Sequence, residues 1–110
     1  MNKHNPPLLP EQAKLSVSLA NMRAIAHPLR MQILSVIAKS GELNVGEIYK
    51  TLDIEQALAS QHLRILRNAN LVSTRRDQKF IFYSLNYDNI HLAVEKAAEL
   101  SEKIRDYPNV

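Results

Sequence analysis

Apolar residues in this chain recur with a helical period over its first two thirds, alternate over a short central stretch, and then return to the helical period. From Glu11, Leu15, Leu19, Met22 and Ala26 recur at helical spacing and predict a first helix. His27-Pro28 breaks it and starts a second, because proline suits a first helical position. The second helix buries Ile33, Leu34 and Ile37 and ends near Ser40-Gly41, where glycine can take a left-handed cap. Asn44-Val45-Gly46-Glu47 resembles a capping box, with Asn in place of Ser or Thr, and opens a short third helix ending about Leu52. Asp53-Ile54-Glu55 turns into a fourth helix, Gln56 to Asn68.

After Asn70 the period becomes 2. Leu71–Arg75 and Phe80–Leu85 read as two strands rich in β-branched and aromatic residues, joined by a polar tip from Arg76 to Lys79. Helix returns after Asn86, with Ile90, Val94, Ala97, Ser101 and Ile104 along one stripe. Residues 1–10 hold three of the five prolines and no period, and read as a flexible arm. The expected fold is mainly α with a small β-hairpin. About five helices carry a helix–turn–helix followed directly by a wing, in one domain over residues 11–110.

Composition narrows the function. A 45% hydrophobic content suits a folded chain, and two glycines with no tryptophan favour helices over a β-sandwich. No cysteine is present, which excludes disulfides, thiol redox switching, thiolate metal sites and cysteine nucleophiles. No Ser/His/Asp constellation, phosphate-binding glycine loop or paired acids suggest catalysis, so no enzyme and no cofactor is expected. With no signal peptide and no spanning segment, the expectation is a cytoplasmic protein without a membrane partner, nucleoid-associated when bound to DNA.

Charge is more informative by region than in total. Residues 61–80 carry Arg64, Arg67, Arg75, Arg76 and Lys79 against Asp77 alone, a basic concentration suited to phosphates and equally to a solvated face. On the fourth helix Ala59, His62, Leu63 and Leu66 share one face, widened by Leu58 and Ile65. The opposite face presents Gln56, Ala57, Ser60, Gln61, Arg64, Arg67 and Asn68, with no carboxylate after Glu55. Amides and guanidiniums match the donor–acceptor edges of the major groove. Gln56, Ser60 and Gln61, near the helix start, are the base-reading candidates. Arg64, Arg67, Arg75, Arg76 and Lys79 are assigned to the DNA backbone, and a charged wing tip also shields strand edges. His62 points inward and reads as a core histidine hydrogen-bonded to backbone.

Four blocks then carry a family likeness: Ala26-His27-Pro28-Leu29-Arg30-Met31-Gln32-Ile33-Leu34, Ala59-Ser60-Gln61-His62-Leu63-Arg64-Ile65-Leu66, Asn70-Leu71-Val72 and Phe82-Tyr83-Ser84-Leu85. In this order and spacing, over about residues 15–105, the chain resembles the ArsR/SmtB family of bacterial repressors. The resemblance implies a homodimer built from the first and last helices, bound to an imperfect palindrome in double-stranded DNA and released by a signal. The residues themselves suggest a seam of Leu15, Leu19 and Met22 with Ile90, Val94, Ala97 and Ile104, although both helices could instead pack on the core. A winged helix serving only protein–protein interaction is the competing reading, disfavoured by the Gln, Ser and Arg on the fourth helix.

The chain also departs from the family pattern. Glu55 and Ala57 stand where Ser or Thr is frequent, and the wing tip lacks its usual glycine. The family's thiolate site is replaced by Glu42-Leu43-Asn44-Val45-Gly46-Glu47, without a thiol. Its last-helix site becomes Asn89-Ile90-His91 with Glu102 and Arg105, leaving one histidine, one weak ligand and a fixed cation, so no metal site is expected. His4 and His27 are given no ligand role. Tyr49, Tyr83, Tyr87 and Tyr107 read as packing residues or as the lining of an apolar pocket near the seam. An unidentified small-molecule or protein effector is left open.

Overall fold

A computed structural model describes residues 19–105 of the chain. Residues 19–25 are helical (α1), followed by α2 (Pro28–Ser40), β1 (Glu42–Asn44), α3 (Val45–Leu52), α4 (Gln56–Asn68), β2 (Val72–Asp77), β3 (Phe80–Leu85) and α5 (Tyr87–Arg105). The arm at residues 1–10, Leu15 and the helix start at Glu11 lie outside the described residues.

The helix boundaries follow from named caps. His27 is extended and its ring accepts a hydrogen bond from the Leu29 amide, so it caps α2 while Pro28 occupies the first turn. Gly41 ends the helix at φ 82, and its amide donates to the Ile37 carbonyl at 2.7 Å. Asn44 and Glu47 form a reciprocal capping box at the start of α3. Asp53 closes that helix in the left-handed region at φ 53. Glu55 precedes α4 without any side-chain cap, leaving the first amides of that helix open.

The sheet is antiparallel with strand order β1-β3-β2. Leu43 and Thr74 flank Tyr83 on neighbouring strands, and Tyr83 is buried. The core joins Ile33, Leu34 and Ile37 of α2, Ile48 of α3, Leu63 and Leu66 of α4, and Leu71, Val72 and Tyr83. Burial of such side chains contributes about 1.5–3 kcal/mol each, and this core fixes how α4 sits on its neighbours.

Two local expectations are corrected. The first wing strand runs Val72–Asp77 rather than Leu71–Arg75, because Arg76 and Asp77 pair with Ile81 and Phe80 and leave only Gln78-Lys79 to turn the chain. Leu71 instead joins two elements, its amide donating to Leu66 and its carbonyl accepting from Asn86. Strand β1 was not foreseen, since three residues are too few to display alternation.

Candidate nucleic-acid interface

Helix α4 is pinned through its inner face: Ala59, Leu63 and Leu66 are fully buried, and His62 lies beside them. Ile65 packs against the core as expected, whereas Leu58, expected to widen the inner face, is exposed. With that face fixed by packing, Gln56, Ala57, Gln61, Arg64, Arg67 and Asn68 are exposed, while Ser60 is half-buried. The outward side therefore offers three amides and two guanidiniums, spread from the helix start at Gln56 to its last turn at Arg67 and Asn68. No acid among the described residues forms an ion pair with Arg64 or Arg67.

The wing distributes its cations differently. Arg75 Nη2 lies 2.6 Å from Glu42 Oε1, and its Nε donates to Glu42 Oε2 at 3.2 Å. Asp77 approaches the same guanidinium at 3.8 Å, and the Phe82 ring lies beneath it. The hydrogen bond from Arg75 holds the Glu42 carboxyl below its ordinary value, and Glu42 in turn raises Arg75. Arg75, a DNA-backbone candidate from the sequence, thus meets carboxylate partners within the sheet, unlike Arg64 and Arg67. Arg76 bends back to donate to the Gln78 carbonyl, and Lys79 lies over Phe80. Gln78 takes φ 56 at the turn, the conformation that a wing-tip glycine would accept more easily.

His62 is a core histidine as expected, but its partner is a side chain rather than backbone. Its Nδ1 accepts from Arg30 Nε at 3.2 Å. The pairing spans 32 residues, so no local pattern in the sequence marks it.

Helix α5 buries only Ala93, although Ile90 packs against the core. Val94 and Ile104 are 55% and 53% exposed, and Ala97 is exposed too. At the other proposed side of the seam, Leu19 and Met22 are half-buried. Tyr83 is a core residue, Tyr49 is half-buried and Tyr87 is exposed on α5. Tyr107 lies outside the described residues. His91 pairs with Glu95 at 3.0 Å on the same exposed helix. Among the described residues no three His, Asp or Glu side chains converge as a metal site would require. No described helix is long and apolar enough to cross a membrane.

Residues 27–74 match the family described as bacterial regulatory protein, arsR family. The biofilm growth-associated repressor of Agrobacterium fabrum is 40% identical over 97 residues, which span 87% of this chain and 76% of that protein. The transcriptional activator HlyU of Vibrio cholerae is 35% identical, over 84% of this chain and 86% of its own length. The crystal structure of NolR from Sinorhizobium fredii superposes with a TM-score of 0.68 at 35% identity, covering 87% of this chain and 96% of that one. Fold, helix chemistry and relatives agree, and the chain belongs to the ArsR family of winged helix–turn–helix, DNA-binding transcriptional regulators rather than to any class of enzyme.

Proposed function

We propose that this protein represses transcription as a homodimer bound to an imperfect palindrome, with α4 of each protomer in the major groove of one half-site. The outward face of α4 carries this reading, because it exposes Gln56, Gln61, Arg64 and Arg67 and holds no carboxylate. In this assignment Gln56 and Gln61 read base edges, with Ser60 at the margin of the contact. Arg64 and Arg67 grip phosphates, and Arg76 and Lys79 extend the grip from the wing.

The dimer is supported by α5, a 19-residue helix that buries a single residue in its own protomer. Val94, Leu100 and Ile104 leave an apolar surface that a second copy would cover. Leu15, Leu19 and Met22 of the first helix are assigned to the same seam, with Ile90 and Ala97. Two-fold symmetry would set the half-sites about one helical turn apart. The signal is neither cysteine redox chemistry, for which the chain has no thiol, nor metal binding at the family's last-helix position, where Arg105 replaces a ligand. A small molecule or partner protein remains the proposed effector class, acting in the cytoplasm. Repression is assigned from the Agrobacterium relative and is tested separately by transcription in vitro from a captured promoter.

The direct test is affinity capture of fragmented genomic DNA at about 150 mM salt, followed by sequencing. Recovery of a few sites sharing an imperfect palindrome supports the reading. Capture without sequence enrichment overturns it in favour of a protein-interaction module.

A further inference from the structure

The buried face of α4 contains one polar side chain, and it is tied to another element. His62 is 7% exposed. Arg30, which donates to its Nδ1, also donates through Nη1 to the carbonyls of Arg23 at 3.3 Å and Ala24 at 3.1 Å. One guanidinium thus joins the last described turn of α1 to the middle of α4. The His27 ring lies 4.7 Å from that of His62, and its own Nδ1 accepts from the Leu29 amide at 3.2 Å. His62 therefore uses Nδ1 as an acceptor, which requires the neutral tautomer with its proton on Nε2.

Among the described residues, the titratable groups in contact with His62 are basic. His27 and Arg30 approach it from the start of α2, while α1 contributes carbonyls to Arg30. Among the described residues, α3 and β2, which also pack on α4, place no charged side chain in hydrogen-bond or ion-pair contact with it. Among the described residues no carboxylate is in contact with the ring. Protonation at Nδ1 would set an N–H against the Arg30 N–H and add a cation beside a fixed one.

We propose that the Arg30–His62 hydrogen bond positions α4 against α1, and that protonation of His62 releases it and weakens sequence-specific DNA binding in mildly acidic solution. His62 is a positioning residue in this account, and the proposal rests on the reading of α4 as the DNA-reading helix. Burial, then the neighbouring His27 and Arg30, hold the His62 imidazole below its ordinary value. The hydrogen bond's contribution is therefore complete above about pH 6.5 and is lost as pH falls through the lower, folded-state value. The direction is diagnostic. A basic protein that merely gained charge on acidification would bind DNA more tightly.

The test uses the full chain and a duplex of about 30 base pairs carrying a captured genomic site, long enough for two half-sites. Affinity is measured at constant salt from about pH 7.5 to about pH 5.5, across the imidazole range. The wild type should lose up to about tenfold in affinity per pH unit below the His62 titration. His62→Asn keeps an acceptor near the Nδ1 position without a titrating group, and its affinity should stay flat. His27→Asn retains a capping oxygen and should still show the fall. A flat or rising wild-type affinity, or an undiminished fall in His62→Asn, overturns the proposal.

Hydrogen exchange of the α4 amides in the protein alone separates this proposal from the DNA reading. Corrected for intrinsic rates, protection in α4 should drop on acidification in the wild type. Unchanged protection overturns the latch whatever the DNA result. Failure of sequence-specific capture near neutral pH would instead overturn the DNA reading, even with the exchange behaviour intact.

Discussion

The fourth helix and the wing carry the five basic residues of the central stretch, yet they present them in different ways. On α4, Arg64 and Arg67 are exposed and without an acidic partner among the described residues, on a helix held rigid by Leu63 and Leu66 behind them. On the wing, Arg75 is paired with Glu42 and Asp77 and stacked on Phe82, so it reaches a phosphate only in competition with those carboxylates. A count of cations is therefore not a count of phosphate contacts. The Glu42–Arg75 pair instead spans from β1 to β2 across the middle strand, fastening the wing to the segment that leads into the helix–turn–helix.

The contrast can be broken at its foundation first. Leu63→Ala should destabilise the fold by about 2–5 kcal/mol, measured by urea denaturation, because it opens a cavity behind the helix. A loss below about 0.5 kcal/mol, typical of surface substitutions, would mean α4 is not pinned through that face. Next in size, Gln61→Ala should change the selected sequence motif, with about 1–3 kcal/mol lost at the contacted base pair. An unaltered motif would remove Gln61 from the base-reading set.

Smaller effects separate the two regions directly. Arg76→Ala should weaken binding to all sequences alike and reduce the slope of log affinity against log salt by about 0.9 per protomer. Arg75→Ala should leave that slope nearly unchanged, since its guanidinium already has a carboxylate partner. Glu42→Gln should steepen it slightly by releasing Arg75 toward phosphate. Equal slopes losses for Arg75→Ala and Arg76→Ala would erase the distinction drawn here between engaged and available charge.

The features legible in the sequence were those enforced by local chemistry. Pro28, Gly41, the Asn44–Glu47 box and the helical period of Ala59, Leu63 and Leu66 each act within a few residues, and the element bounds followed them. The missed features all depend on partners distant in the chain. Strand β1 exists because Leu43 pairs with Tyr83, Arg75 is engaged because Glu42 lies across the sheet, and His62 meets Arg30 only after α2 and α4 pack. Periodicity identifies which face is buried, but not which polar groups meet there.

The proposed reading of DNA sequence by the exposed face of α4 can be decided by capturing fragmented genomic DNA with the wild type and with a Gln56→Ala/Gln61→Ala variant in parallel. A shared imperfect palindrome is expected among the wild-type fragments, with its loss or degeneration in the variant and general DNA binding retained through the arginines. The same palindrome recovered equally by both proteins would contradict it.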